Sequence, residues 1–87
     1  MEKHYAYIIY SESHNIYYKA YSTQPYKRLV QHNEGLSRYT KNKGPWVLVF
    51  LQAFPSKQLA LKREKSLKQA NKKYLLWVIS QPYNLID

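Results

Sequence analysis

Two short runs of β-branched and aromatic residues, Tyr5-Ala6-Tyr7-Ile8-Ile9-Tyr10 and Ile16-Tyr17-Tyr18-Lys19-Ala20-Tyr21, flank the polar stretch Ser11 to Asn15. Such runs, bounded by a turn, read as two antiparallel strands, and they commit the chain to open with a hairpin. A lone hairpin is barely stable in water, so the remaining residues have to cover it. A chain of 87 residues, 45% of them hydrophobic, buries roughly 60–65% of its unfolded surface, enough for one modest core. The expectation is a single domain spanning residues 1–87.

The rest of the chain supplies that cover. Ser22-Thr23 can cap a helix with Pro25 in its first turn, running to about Asn33 and stopped by Gly35. On it Tyr26, Leu29 and Val30 share one face, while Arg28 and His32, four apart, share another. Residues 36–45 form a polar, basic loop closed by Gly44-Pro45. Trp46 to Phe54 reads as a third strand with Val47, Val49 and Leu51 on one side. Pro55-Ser56 opens a second helix, roughly 56–70, and a third follows over about 71–80. The order ββαβαα defines an α+β fold, a three-stranded antiparallel sheet flanked by helices.

Fourteen Lys and Arg against five Asp and Glu give a net charge of +9. That excess calls for a polyanionic partner, and ten Tyr with two Trp suit one whose bases can stack. The absence of cysteine excludes a disulfide scaffold, a cysteine-ligated zinc site and thiol catalysis. No apolar run approaches the ~20 residues of a spanning helix, and no signal-peptide core follows the N-terminus. The chain is therefore expected to be cytoplasmic, with no membrane partner. Its oligomeric state is not legible.

Because acids are scarce, each can be weighed. Glu2 and Asp87 are terminal, Glu12 is in a turn, and Glu34 ends a helix. Glu64 is mid-helix among lysines, just outside the apolar arc of Leu59, Ala60, Leu67 and Ala70. It can pair with Lys68 one turn on, or hold Mg²⁺ with water and phosphate oxygens completing the shell. His32 can grip a phosphate beside Arg28 or handle a proton, though an exposed surface histidine is the commoner outcome. Only ~0.1% of an unperturbed tyrosine is ionised at neutral pH, so a tyrosine acting as proton acceptor needs a cation beside it.

Taken in order, these residues resemble the GIY-YIG nuclease superfamily. The closer likeness is to its small stand-alone bacterial members, which are similar to the N-terminal domain of the incising component of the repair excinuclease. Tyr5-Ala6-Tyr7 stands where that family has GIY, and Tyr18-Lys19-Ala20 where it has YIG. Arg28-Leu29 with His32-Asn33 matches its first helix. Ser37-Arg38-Tyr39-Thr40 and Gly44-Pro45-Trp46 resemble its loop and third strand, and Ala60-Leu61-Lys62-Arg63-Glu64-Lys65 its glutamate segment.

The resemblance implies a metal-dependent endonuclease acting on DNA, with RNA as a further polyanion to consider and a catalytically impaired nucleic-acid-binding module as the alternative. By resemblance Tyr7 is the general base or activator of the attacking water, Tyr18 lines the site and Arg28 stabilises the pentavalent phosphate. His32 assists proton transfer or contacts phosphate, and Glu64 binds one Mg²⁺ or Mn²⁺ ion. Lys19, Lys27, Arg38, Lys41, Lys43 and Arg63 are the expected nucleic-acid contacts. For the two tyrosines to share a site they are expected directly opposite each other, with Tyr10 opposite Asn15 and a Ser11–His14 loop. Ala20 departs from the family's glycine, which is harmless only if the position has ordinary strand dihedrals.

Overall fold

The computed structural model describes residues 2–86; Met1 and Asp87 lie outside them. The elements follow the expected order: β1 His4–Ser11, β2 Ile16–Ser22, α1 Pro25–Asn33, β3 Trp46–Phe54, α2 Lys57–Lys68 and α3 Lys72–Ile79. The strands form one antiparallel sheet in the order β2-β1-β3. Its two faces carry separate cores. Ala6, Ile8 and Phe50 pack with Leu67 of α2 and with Leu75 and Val78 of α3. Tyr7, Ile9, Ala20, Trp46, Leu48 and Leu51 form the other core, against which Leu29 of α1 packs.

The hairpin register differs from expectation. Tyr7 lies opposite Ala20 and Tyr18 opposite Ile9, with Tyr10 opposite Tyr17. The loop is Glu12–Asn15, because Asn15 takes a left-handed conformation at φ 52° and its N–H bonds back to Glu12. Asparagine tolerates that conformation, and this moves the turn one residue along the chain. The displacement between the strands is two residues, so Tyr7 and Tyr18 keep a common face as diagonal neighbours.

Two further expectations are corrected. On β3 a bulge opposite Ile8 and Ile9 leaves Val49 as an extra residue, so simple alternation fails. Trp46, Leu48 and Leu51 therefore share the α1 side, while Val47 is exposed. On α1 the inward residues are Pro25, Leu29 and His32, at helical spacing, whereas Tyr26 and Val30 are exposed. A histidine takes the inner position because both its nitrogens find partners there. Gln24 is the N-cap of α1 and makes no side-chain cap bond; Ser22 Oγ instead accepts from the Gln24 N–H. Ser56 caps α2 as expected, accepting from the Leu59 N–H.

The outer edge of β3 is closed by side-chain amides. Asn33 Nδ2 donates to the Trp46 carbonyl while Asn33 Oδ1 accepts from the Trp46 N–H. A Cβ at Gly44 would stand 3.3 Å from Asn33 Oδ1, so glycine leaves room for that contact. Farther along, Asn84 Nδ2 donates to the Val49 and Ile79 carbonyls, and its Oδ1 accepts from the Leu51 and Ile86 N–H groups. Asn84 thereby uses all four of its hydrogen-bonding positions. Asn84→Ala is expected to cost roughly 2 kcal/mol, two net hydrogen bonds or more. The check is the urea midpoint of the variant against wild type, and an unchanged midpoint would contradict the role.

Candidate active site

The site grows from β1. Tyr7 is fully buried on the α1 side of the sheet, a consequence of its central-strand position. His32, in the last turn of α1, is 1% exposed. Its Nε2 lies 3.0 Å from Tyr7 Oη, and its Nδ1 lies 2.7 Å from Thr40 Oγ1. Gly35, at φ 77°, turns the chain out of α1 so that Thr40 can return to the ring. Thr40 is itself fully buried, and its carbonyl accepts from Trp46 Nε1 at 3.1 Å. Tyr18 completes the group from β2, with its ring edge-on to His32 at 5.4 Å and stacked on Tyr39 at 5.1 Å.

Burial governs the protonation of this group. It pushes the Tyr7 phenol up to about 12, outweighing the Arg28 guanidinium, which pulls the other way. It pushes His32 down to about 4, and the Arg28 charge adds to the shift. At neutral pH Tyr7 is therefore a protonated phenol and His32 a neutral ring. The sequence expectation of a tyrosine acidified by a neighbouring cation is reversed, because desolvation exceeds the attraction of Arg28. A neutral, enclosed His32 with both nitrogens engaged is no phosphate grip, and it is not the exposed surface histidine either.

Arg28 is half-buried and donates from Nη1 to Gln31 Oε1 at 2.6 Å. Glu64, on α2, shares a stripe with buried Ala60 and Leu67 at helical spacing. Leu59, expected in that apolar arc, is 47% exposed, so the inward stripe runs through 60, 64 and 67. The Glu64 side chain is 18% exposed and its Oε2 lies 3.5 Å from Lys68 Nζ. Its negative charge reaches Tyr7, which it also pushes up. Tyr7, Tyr18, Arg28, His32 and Glu64 thus meet around one phenol. No three His, Asp or Glu side chains cluster as metal ligands among the described residues.

The basic residues divide. Lys19 lines a cleft of about 300 Å³ with Tyr17, Tyr18, Tyr39 and Lys68, at the open edge of β2. Its ammonium bonds the Tyr17 carbonyl, and burial followed by the Lys68 charge lowers its pKa. Lys43 holds its ammonium 4.3 Å above the Tyr39 ring. Lys27, Arg38 and Lys41 are exposed. Arg63 is occupied elsewhere, bridging Gln52 Oε1 and Tyr83 Oη at 3.3 Å each. Ala20 pairs regularly with Tyr7 and has no positive φ, so the departure from glycine adds no backbone strain. Thr40 and Tyr39 carry contacts that sequence reasoning left without a role. The only sequence signal for them was their place in the loop motif, eight and seven residues beyond His32.

A sheet of this topology with tyrosines, an arginine and a glutamate around one buried phenol defines a nuclease-type scaffold. The model of the GIY-YIG catalytic domain matches residues 3–83, and the chain belongs to the GIY-YIG family. Its relatives include the UPF0213 proteins. One, from Staphylococcus saprophyticus, is 37% identical over 82 residues, covering 93% of this chain and 99% of the relative. Another, from Staphylococcus haemolyticus, is 35% identical over the same coverage. The solution NMR structure of UPF0213 protein BH0048 from Bacillus halodurans matches with a TM-score of 0.60 at 30% identity, covering 93% of this chain and 86% of that one. No helix among the described residues is long and apolar enough to cross a membrane.

The His32 environment sets a pH dependence of stability. The unfolded ring binds its proton near 6.5, the folded ring near 4. Between those values the unfolded state holds more protons, so stability falls as pH drops through 6.5 and stops falling below about 4. The full loss is about 3 kcal/mol, at 1.36 kcal/mol per pKa unit. Urea midpoints of wild type and His32→Gln across this range are expected to converge toward low pH; parallel curves would contradict the buried neutral ring.

Proposed function

We propose that the protein is a divalent-metal-dependent endonuclease that hydrolyses phosphodiester bonds in DNA. The observation that supports this most directly is that Arg28 and Glu64, from two different helices, both act electrostatically on the buried Tyr7 phenol. Phosphodiester hydrolysis needs a positioned water, positive charge on the phosphate as it becomes pentavalent, and help for the departing oxygen.

Arg28 suits the second need. Its planar guanidinium is permanently charged and can donate two parallel hydrogen bonds to phosphate oxygens. Tyr7 and Tyr18 wall the reacting phosphate with their phenols, and His32 holds Tyr7 in place from behind. Glu64 fits a cation with a hard-oxygen preference. It is the one carboxylate at the site, and its contact with Lys68, at 3.5 Å, is too long for a strong hydrogen bond. Mg²⁺ commonly takes one or two carboxylates and fills its remaining positions with water and phosphate oxygens. Such an ion supplies positive charge to the phosphate and makes water a better nucleophile.

Lys19, Lys43 and Lys68 flank the aromatic cleft beside this group, and Lys27, Arg38 and Lys41 extend the positive surface. They serve the DNA backbone, with the net charge of +9 drawing the polyanion in. The alternative, a scaffold that binds nucleic acid without cutting it, drew on Ala20. The ordinary strand geometry of Ala20 removes that motive.

The test is nicking of supercoiled plasmid and of a branched oligonucleotide with Mg²⁺ or Mn²⁺ against EDTA, wild type beside Glu64→Ala and Arg28→Ala. Glu64→Ala is expected to fall to the EDTA background while still binding DNA, with log K declining linearly against log salt. Arg28→Ala is expected to lose about 10²-fold in turnover. Metal-dependent cutting undiminished in Glu64→Ala would overturn the assignment, and no cutting by folded wild type would favour the binding module.

A further inference from the structure

Three mobile hydrogens are shared among Tyr7 Oη, the neutral His32 ring and Thr40 Oγ1, yet only two hydrogen bonds join these groups. One hydrogen is left over, and the direction of the row decides which oxygen carries it. If Tyr7 donates to His32 and His32 to Thr40, the spare hydrogen sits on Thr40. Thr40 is fully buried, and among the described residues its hydroxyl has no partner except His32. That hydrogen would be stranded in the core. In the opposite direction the spare hydrogen sits on Tyr7. There it meets the field of the Glu64 carboxylate, on the side where Arg28 also acts.

We propose that Thr40 is a positioning residue: it donates to His32 Nδ1, fixes the ring with its hydrogen on Nε2, and so leaves the Tyr7 hydroxyl free to donate to a non-bridging oxygen of the phosphodiester. The last clause rests on the nuclease reading; the tautomer does not. Burial of Tyr7 works in the same direction, since a phenol pushed up to about 12 keeps its hydrogen. Tyr7 then accepts from His32 and donates toward the phosphate, so the row carries hydrogen-bond polarity from the interior to the reacting group. No proton need leave the phenol. This role differs from the proton acceptor that the family resemblance implies for Tyr7.

The experiment is a long-range proton–nitrogen NMR correlation of the imidazoles at neutral pH, in wild type, Thr40→Val and Thr40→Ser, paired with nicking kinetics of the same proteins. Wild-type His32 is expected to carry its hydrogen on Nε2 alone. Thr40→Val should populate the Nδ1–H form, and Thr40→Ser, which keeps the hydroxyl, should restore the wild-type spectrum. In kinetics, Thr40→Val is expected to lower kcat about tenfold, the worth of one hydrogen bond, with KM unchanged and Thr40→Ser again restoring it. A wild-type ring with its hydrogen on Nδ1 would overturn the proposal, and needs no variant to fold. The expected tautomer with full kcat in Thr40→Val would refute the role given to the Tyr7 hydrogen. Absence of cutting by wild type would refute the nuclease reading and the phosphate acceptor with it, while the spectrum still judges Thr40.

Discussion

A buried imidazole holds this site together. Enclosing a histidine is costly unless both ring nitrogens are paired, and His32 meets that demand with Tyr7 on one side and Thr40 on the other. The pairing ties α1 to the central strand and to the loop that follows the helix. Because Thr40 must return to the ring, Gly35 turns the chain sharply, Trp46 closes over the Thr40 carbonyl, and Tyr39 is brought to stack on Tyr18. A loop that looks merely polar and basic in sequence is thereby an ordered wall of the cleft.

Electrostatically the site is an exception within its own molecule. The chain carries a large positive excess, yet the group around Tyr7 sets one guanidinium against one carboxylate and otherwise holds neutral polar groups. Low polarity strengthens the fields of Arg28 and Glu64 there, since charges act over longer range where water is excluded. The remaining cations lie outside, where they can attract a polyanion without crowding the reacting centre.

The element order and the strand content were legible because periodicity and turn residues are local signals. Residues whose placement depends on distant partners were not. Val49 bulges because β1 and β3 have to align across the sheet, and nothing in the β3 sequence alone marks it. The hairpin register turned on a left-handed Asn15, a propensity that permits the conformation without requiring it. His32 was placed on the correct helix beside Arg28, but its burial depended on Thr40, whose hydroxyl reads as ordinary loop polarity until the fold brings it back. For Glu64, helical spacing correctly put it at the border of the core, and the Lys68 pair formed as the plain alternative required. The family motifs named the residues that meet around Tyr7, although they could not show which of them carry charge.

The amides of Asn33 and Asn84 occupy backbone sites along one margin of the sheet, and β2 keeps the other margin bare. A sheet sealed on one side can recruit an additional strand only on the other. Here that other side is the rim of the aromatic cleft, where Lys19 and Lys68 already crowd like charges. Self-association by strand addition would bring two such lysine pairs together and cover both clefts. The same repulsion that readies this rim for a polyanion discourages it from pairing with its own kind, so solubility and access to the site are guarded by the same two side chains.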